Sequence, residues 1–196
     1  MGAGGWFLTR SPSGLAQGGG HRATEHVTIL VRPARREDLD EIVGVALAAW
    51  REGYRDVVPD HLMPDAWALQ ARIADRVAGS SRNLAVAELD SKVRGWISFG
   101  PSRDIRAAPS VGEIWALNVH PEAWRRGIGR ELVRYALERL ARDSFTEVTL
   151  WTFRDTPRSR SFYEALGFRP DGATQRRHAS GGATEVRYRM ALAIDA

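Results

Sequence analysis

Residues 119–130 of the chain read VHPEAWRRGIGR. This stretch joins the end of an apolar, strand-like segment to the start of an amphipathic one, and it carries two spaced glycines, Gly127 and Gly129. The start of a helix presents main-chain N–H groups without partners and the positive end of the helix dipole. Glycine also lets a ligand approach the main chain closely. The stretch therefore predicts a site for an anion such as a pyrophosphate.

Other interpretations of this loop differ in how well they fit. A Walker-type phosphate loop is excluded, because no Gly-Lys-Ser/Thr follows. A dinucleotide-binding Rossmann turn fits poorly, because Leu132 stands at the third glycine position and four strand-like segments precede the loop. A plain loop whose glycines only turn the chain stays open on local sequence alone.

Hydrophobic periodicity on both sides of the loop predicts alternating strands and helices. The predicted strands are 27–31, 84–89, 93–99, 113–119, 148–153 and a weak final edge strand, 185–192. The predicted helices are 39–50, 65–78, 128–140 and one that begins after Thr156, as N-cap, and ends at Gly167. This order predicts an α+β fold in which helices cover one mixed sheet.

Composition limits the class of protein. The chain of 196 residues is 43% hydrophobic and 27% charged, which is typical of one globular domain. We expect residues 1–26, rich in Gly and Ser, to form a flexible tail before a domain over 27–196. The absence of cysteine excludes disulfides, Cys-ligated zinc and a cysteine nucleophile, and it fits a reducing compartment.

Charge and hydropathy bear on partners and location. The formal net charge is +4, but the basic residues are scattered without interleaved aromatic residues, so we expect no nucleic-acid partner. No apolar run approaches the ~18 residues of a membrane helix, and we find no signal peptide. We therefore expect a cytoplasmic protein with no membrane partner.

A second segment of the sequence favours one interpretation of the loop. Residues 161–168 read SFYEALGF, and together with the Arg-Gly-x-Gly of residues 126–129 they resemble the GNAT superfamily of acyl-CoA-dependent N-acetyltransferases. The resemblance runs from about Val27 to Leu192, and the opening VRPA of residues 31–34 is also typical. It implies the GNAT-like fold: a mixed, mostly antiparallel central sheet flanked by helices, with central strands splayed by a bulge.

The resemblance implies a cofactor site for acetyl-CoA. Main-chain N–H groups would hold the pyrophosphate at Arg125, Arg126, Gly127, Ile128, Gly129 and Arg130. The pantetheine arm would pair with the strand at Leu117, Asn118 and Val119. Thr156 and Arg158 are further candidate contacts. The chain departs from the family pattern at Trp124, where Gln or Arg is usual, at Thr156, where Asn is usual, and at Ser159, where Ala is usual.

Acetyl transfer to an amine needs a base and an acid. An amine with a pKa near ~10 is mostly protonated at neutral pH, and a carboxylate can accept its proton directly or through water. Glu113 is the candidate base; a solvated glutamate at a strand end is the alternative. The resemblance makes Tyr163 the general acid that protonates the leaving thiolate, with a packing tyrosine beside Phe162 as the alternative. It also makes the Val119 N–H the oxyanion donor.

The resemblance further suggests an acceptor pocket near the end of the first helix. Trp50, Tyr54 and Trp115 are its candidate residues. Direct transfer within a ternary complex needs no metal, and the histidines show no ligand spacing. We predict an N-acetyltransferase that moves an acetyl group from acetyl-CoA to a primary amine of a small molecule or a peptide. The alternative is a non-catalytic acyl-CoA-binding module. Dimers are common in the family, so a homodimer is a further expectation.

Overall fold

The computed structural model describes residues 28–62, 65–79, 83–176 and 181–192. The predicted tail, residues 1–26, and Val27 lie outside the described residues. The strands are β1 (Leu30–Pro33), β2 (Leu84–Leu89), β3 (Lys92–Pro101), β4 (Val111–Val119), β5 (Glu147–Phe153), β6 (Arg169–Arg176) and β7 (Thr184–Ala191). The helices are α1 (Leu39–Gly53), α2 (Ala66–Gly79), α3 (Ile128–Arg142) and α4 (Pro157–Ala165).

One seven-stranded sheet organises the described chain, in the order β1-β2-β3-β4-β5-β7-β6. Only β4 and β5 pair in parallel; the other neighbours are antiparallel. The predicted mixed, mostly antiparallel sheet is confirmed. The predicted edge position of the last strand is wrong, because β7 lies between β5 and β6. The edge strand β6 was not predicted, since its polar sequence RPDGATQR lacks an apolar alternation.

Helices cover both faces of the sheet. On one face, α3 packs Ile128, Leu132 and Leu140 into a core that includes Ile97 and Leu150. On the other face, α1 and α2 form a second core around β2 and β3. The spacing of the apolar positions in α1 and α3 places one stripe of each helix against the sheet. The sheet therefore has a layer of helices on each of its faces.

A bulge separates the two central strands. Phe99 of β3 pairs with Ile114 while Ser98 pairs with Ala116, so Trp115 is an extra residue in β4. The parallel pairing of β4 with β5 ends at Ile114 and Leu150. Beyond this point residues 115–119 of β4 diverge from residues 151–153 of β5. We call the space between these two segments the slot. The predicted splaying of the central strands is confirmed.

A buried ion pair fixes the start of α1. Asp38 is 3% exposed; its carboxylate accepts two hydrogen bonds of 2.8 Å from the Arg32 guanidinium and one of 2.7 Å from the Arg35 N–H. Burial alone would raise the pKa of Asp38, but the hydrogen bonds from Arg32 and Arg35 outweigh it and lower the pKa. The ionised carboxylate therefore stabilises the folded chain.

Asp38→Asn is expected to lower the free energy of unfolding by about 2–4 kcal/mol at pH 7, since it leaves the half-buried Arg32 guanidinium without its main partner. Because the folded pKa is lowered, this stabilisation is present above the unfolded pKa of about 3.9 and is lost as the pH falls through the folded value. Denaturant unfolding at pH 7 and at pH 3 checks this, with the exposed Asp56→Asn as control. An equal loss at both pH values would show that the charge is not involved.

Candidate functional site

The slot presents the main chain of alternate β4 residues. His120 N–H donates to the Arg94 carbonyl at 2.8 Å, and hydrogen-bonded pairs alternate along an antiparallel ladder. Gly95 opposite Val119, and Ile97 opposite Leu117, are therefore the non-bonded pairs. The peptide groups of Leu117 and Val119 thus face away from β3, on the side of the slot.

Asn118 differs from its two neighbours. By the same alternation, its main chain bonds to Trp96 of β3, and its side chain is buried on the face that α1 and α2 cover. Of the three strand residues predicted to meet the pantetheine arm, the structure thus turns Leu117 and Val119 toward the slot and turns the main chain of Asn118 away from it.

The loop before α3 offers a continuous row of N–H groups. Glu131 N–H makes the first helical bond, to the Gly127 carbonyl at 3.1 Å. Within the described chain, no acceptor bonds the main-chain N–H groups of Arg125 through Arg130. Gly127 is the N-cap and Ile128 the first helical residue. The structure therefore places the predicted loop at a helix start, where the dipole and the free donors favour an anion.

The conformation of this loop requires its glycines. Gly127 has a φ of +88°, a region that costs residues with a Cβ. A Cβ on Gly129 would lie 3.1 and 3.3 Å from carbon atoms of the Phe162 ring. Arg125 also has a positive φ, of +62°, which is uncommon for a residue other than glycine. The left-handed conformations of Arg125 and Gly127 therefore set the path of the chain into α3.

Trp124 holds the loop to β4 and to α4. Its indole N–H donates to the Val119 carbonyl at 2.8 Å, and the Arg158 guanidinium carbon lies 3.6 Å from the centroid of its ring. This cation–π stack positions Arg158, which is exposed, beside the loop. The residue that departs from the family pattern therefore has a local structural role.

Thr156 is buried and uses its hydroxyl within the chain. The hydroxyl donates to the Phe153 carbonyl at 2.7 Å and makes no capping hydrogen bond to α4. The predicted N-cap position of Thr156 is confirmed, although its side chain turns back to the end of β5 and does not cap the helix. The oxygen of Thr156 keeps acceptor capacity for a cofactor contact.

Tyr163 is a buried phenol on α4. It is 9% exposed, and Phe162 and Phe168 pack edge-on against it at 5.1 and 5.9 Å between ring centroids. No described residue hydrogen bonds its hydroxyl. Burial, and to a lesser extent the nearby Tyr54 phenol, raise the pKa of Tyr163. The group is therefore protonated at neutral pH and has its proton free to donate.

Glu113 is also buried, at 3% exposed, on β4. Its carboxylate accepts hydrogen bonds from the Arg103 N–H at 2.7 Å and from the Arg103 guanidinium at 3.3 Å. The alternative of a solvated glutamate at a strand end is wrong for this residue. These two hydrogen bonds offset part of the cost of burying the carboxylate.

An aromatic cluster stands where α1 meets the end of β5. Tyr54 packs edge-on against Trp50 and Phe153, with ring centroids 4.9 and 5.1 Å apart. The structure thus brings two of the three predicted pocket residues together, while Trp115 lies at the bulge of β4. Phe153 completes the cluster and was missed, because an apolar residue in a strand is ordinarily read as core.

Two further arginines were missed. Arg103 and Arg76 place their guanidinium carbons 5.0 and 5.8 Å from the centroid of the Trp115 ring. Neither residue lies near Trp115 in sequence, and no motif marks them.

In the described part of the chain, the His, Asp and Glu side chains form no group arranged to hold a metal ion. His21, His26 and His178 lie outside that part.

Comparison with known families gives the loop and the phenol a common context. Residues 21–168, more than half of the chain, match the family described as Acetyltransferase (GNAT) family. The chain belongs to the GNAT acetyltransferase family. The predicted resemblance is confirmed, and as a GNAT enzyme the chain is an acetyl-CoA-dependent N-acetyltransferase.

Curated GNAT relatives share parts of the sequence. The uncharacterized N-acetyltransferase YuaI of Bacillus subtilis is 31% identical over 147 residues, which cover 70% of this chain and 78% of that protein. The mycothiol acetyltransferase of Kocuria rhizophila is 35% identical over 88 residues, which cover 43% of this chain but 28% of that protein. The second likeness therefore concerns only part of a longer enzyme.

Solved structures show the same fold. The PaiA N-acetyltransferase of Thermoplasma acidophilum, solved with coenzyme A, superposes with a TM-score of 0.67 at 21% identity, over 82% of this chain and 98% of that one. The ribosomal-protein-alanine N-acetyltransferase of Brucella melitensis gives a TM-score of 0.66 at 20% identity, over 83% and 99%. Within the described ranges of this GNAT chain, no helix is long and apolar enough to cross a membrane.

Proposed function

We propose that the chain transfers the acetyl group of acetyl-CoA directly to a primary amine, and that the slot between β4 and β5 is where the two substrates meet. The single observation that carries this site is the row of free N–H groups from Arg125 to Arg130 at the start of α3. These donors fit a diphosphate, and Gly127 has no side chain to obstruct it. Leu117 and Val119 would pair with the pantetheine arm along the slot.

The remaining groups would serve as base, oxyanion donor and acid in the transfer. Glu113 would take the proton of the ammonium form of the acceptor, directly or through water, and so free its lone pair. The Val119 N–H, turned toward the slot, would stabilise the oxyanion that forms on attack. The Val119 carbonyl accepts the Trp124 indole N–H and keeps a second lone pair for the pantetheine arm. Tyr163 would protonate the leaving thiolate. Each group thus acts once, and no enzyme nucleophile is required.

Membership of an acetyltransferase family disfavours the alternative of a non-catalytic acyl-CoA-binding module, and the free phenol of Tyr163 argues against it as well. We further propose Trp50 and Tyr54, with Phe153, as one wall of the acceptor pocket and Trp115 as another. Thr156 and Arg158 would meet the cofactor beside the loop. A cytoplasmic location, a homodimer, the absence of nucleic-acid, membrane and metal partners, and the extent of the domain over 27–196 stay predictions.

The proposal is tested by release of free thiol from acetyl-CoA across a panel of amines, together with calorimetric binding of coenzyme A. Gly127→Ala is expected to raise the Kd for coenzyme A about tenfold, because a strain of about 1–2 kcal/mol moves the N–H groups from their positions. Gly172→Ala is the matched control: Gly172 has a φ of +87° and open space around it, but it lies in β6.

Equal weakening by both glycine variants would show that the effect comes from lost stability and not from the loop. The proposal fails outright if the wild-type protein neither binds coenzyme A nor releases thiol with any amine.

A further inference from the structure

Arg76 of α2 is a half-buried cation without an anion. Its guanidinium donates to the Ser98 hydroxyl at 3.0 Å, and no carboxylate in the described ranges forms an ion pair with it. Arg32 and Arg187, which are similarly covered, each have carboxylate partners. Covering a charge without a partner costs free energy, so the position of Arg76 calls for an explanation.

The surroundings of Arg76 increase the positive potential. Burial, then the charges of Arg103 and Arg72, lower its pKa. Arg72, one turn earlier on the same helix, is exposed. Arg76 instead extends over the sheet, where its guanidinium meets Ser98 and the Trp115 ring.

Arg76 shares the Trp115 ring with Arg103, the partner of the candidate base. Ser98, its partner, is opposite Ala116, the residue that follows the bulge. The Trp115 ring at the bulge is shared by Arg76 and by Arg103, which itself bonds Glu113. A molecule that brings an amine to Glu113 over this ring would therefore present its other end to the unused N–H groups of Arg76.

We propose that Arg76 binds an oxyanion of the acceptor, so that the preferred substrate is a small amine that also carries a carboxylate or a phosphate ester. This inference rests on the proposed function. The guanidinium has five N–H donors, of which the structure uses one, and it matches both oxyanions in shape. The anion would supply the counter-charge that the described residues do not provide, while the amine would reach Glu113.

The test compares amine acceptors that carry an anionic group with neutral analogues that lack it. β-Alanine is paired with β-alaninamide, and phosphoethanolamine with ethanolamine, in the thiol-release assay. The wild-type protein is expected to favour at least one charged member by about 10- to 100-fold in kcat/KM, as a charge-assisted hydrogen bond implies. The two pairs distinguish a carboxylate from a phosphate.

Arg76→Gln is expected to remove this preference by raising KM for the charged acceptor, with KM for its neutral analogue unchanged. Arg76→Lys should restore part of it. Arg142→Gln, an exposed arginine at the end of α3, is the control, and coenzyme A binding checks that each variant is folded. If Arg76→Gln does not fold, the kcat/KM preference of the wild-type protein for charged over neutral acceptors tests the proposal instead.

The possible failures are distinct. Turnover of charged and neutral amines at equal kcat/KM, or an acid preference that persists in Arg76→Gln, overturns the oxyanion site but leaves the proposed function intact. Absence of thiol release with every amine overturns the proposed function, and with it the inference that depends on it.

Discussion

Tyr163→Phe is expected to lower kcat for thiol release about 10²- to 10⁴-fold, the usual contribution of a positioned general acid. The variant removes only the hydroxyl and keeps the ring that packs between Phe162 and Phe168. Since no described residue hydrogen bonds this hydroxyl, its loss leaves no buried partner unsatisfied. The fold and the affinity for coenzyme A should therefore stay nearly unchanged while the chemical step slows.

The pH dependence gives a second check on Tyr163. Burial raises its pKa above the ordinary value of about 10, so the acid form persists through neutral and mildly alkaline pH and is lost only as the pH rises through the raised value. In the wild-type protein, kcat should show no fall from this group between pH 7 and pH 9.

The matched control is Tyr135→Phe on α3, a half-buried tyrosine that packs near Phe99 and has no assigned role in the reaction. Single-turnover rates and coenzyme A calorimetry for both variants separate chemistry from binding. A Tyr163→Phe variant with the wild-type kcat would show that Tyr163 is only a packing residue. The thiolate would then be protonated by another donor or would leave unprotonated.

The fold was largely predictable because its central parts depend on local rules. The start of α3 at Ile128 follows from Gly127, which supplies the left-handed N-cap conformation, and from the apolar stripe that begins there. The bounds of β2 also match the prediction, since Leu84–Leu89 is a short apolar run between turn residues. The edge strand β6 escaped prediction because its partner β7, and not its own side chains, determines its conformation.

The site was predictable only where a motif is continuous in sequence. The loop of residues 125–130 and the phenol of Tyr163 lie in such motifs. The choice of Leu117 and Val119 over Asn118 depends on the register of β3 against β4, which the sequence does not specify. Arg76 reaches Trp115 at the bulge because α2 packs against the sheet. The two residues are far apart in the sequence, so no local pattern predicts their contact.

Glu113→Gln is the second variant with a large expected effect, a fall in kcat/KM of about 10²- to 10⁴-fold at pH 7. The reason lies in the two roles of the carboxylate. It anchors Arg103 through hydrogen bonds at both oxygens, yet a carboxylate has about four acceptor sites, so lone pairs remain for a proton. Because the group is buried, that proton would travel through a water molecule.

The glutamine variant separates the two roles of Glu113. The amide oxygen of Gln can still accept the Arg103 N–H, the shorter of the two bonds, while the bond from the guanidinium and the basicity are lost. If Glu113 is the base, the deficit should shrink as the pH rises from 7 toward 10, since the acceptor amine then loses its proton without help. Glu147→Gln is the control, because Glu147 pairs with Arg189 at 3.1 Å at the start of β5, before the slot begins. If the deficit of Glu113→Gln is independent of pH, or if its rate equals that of the control, the carboxylate only anchors Arg103 and the proton leaves the amine by another route.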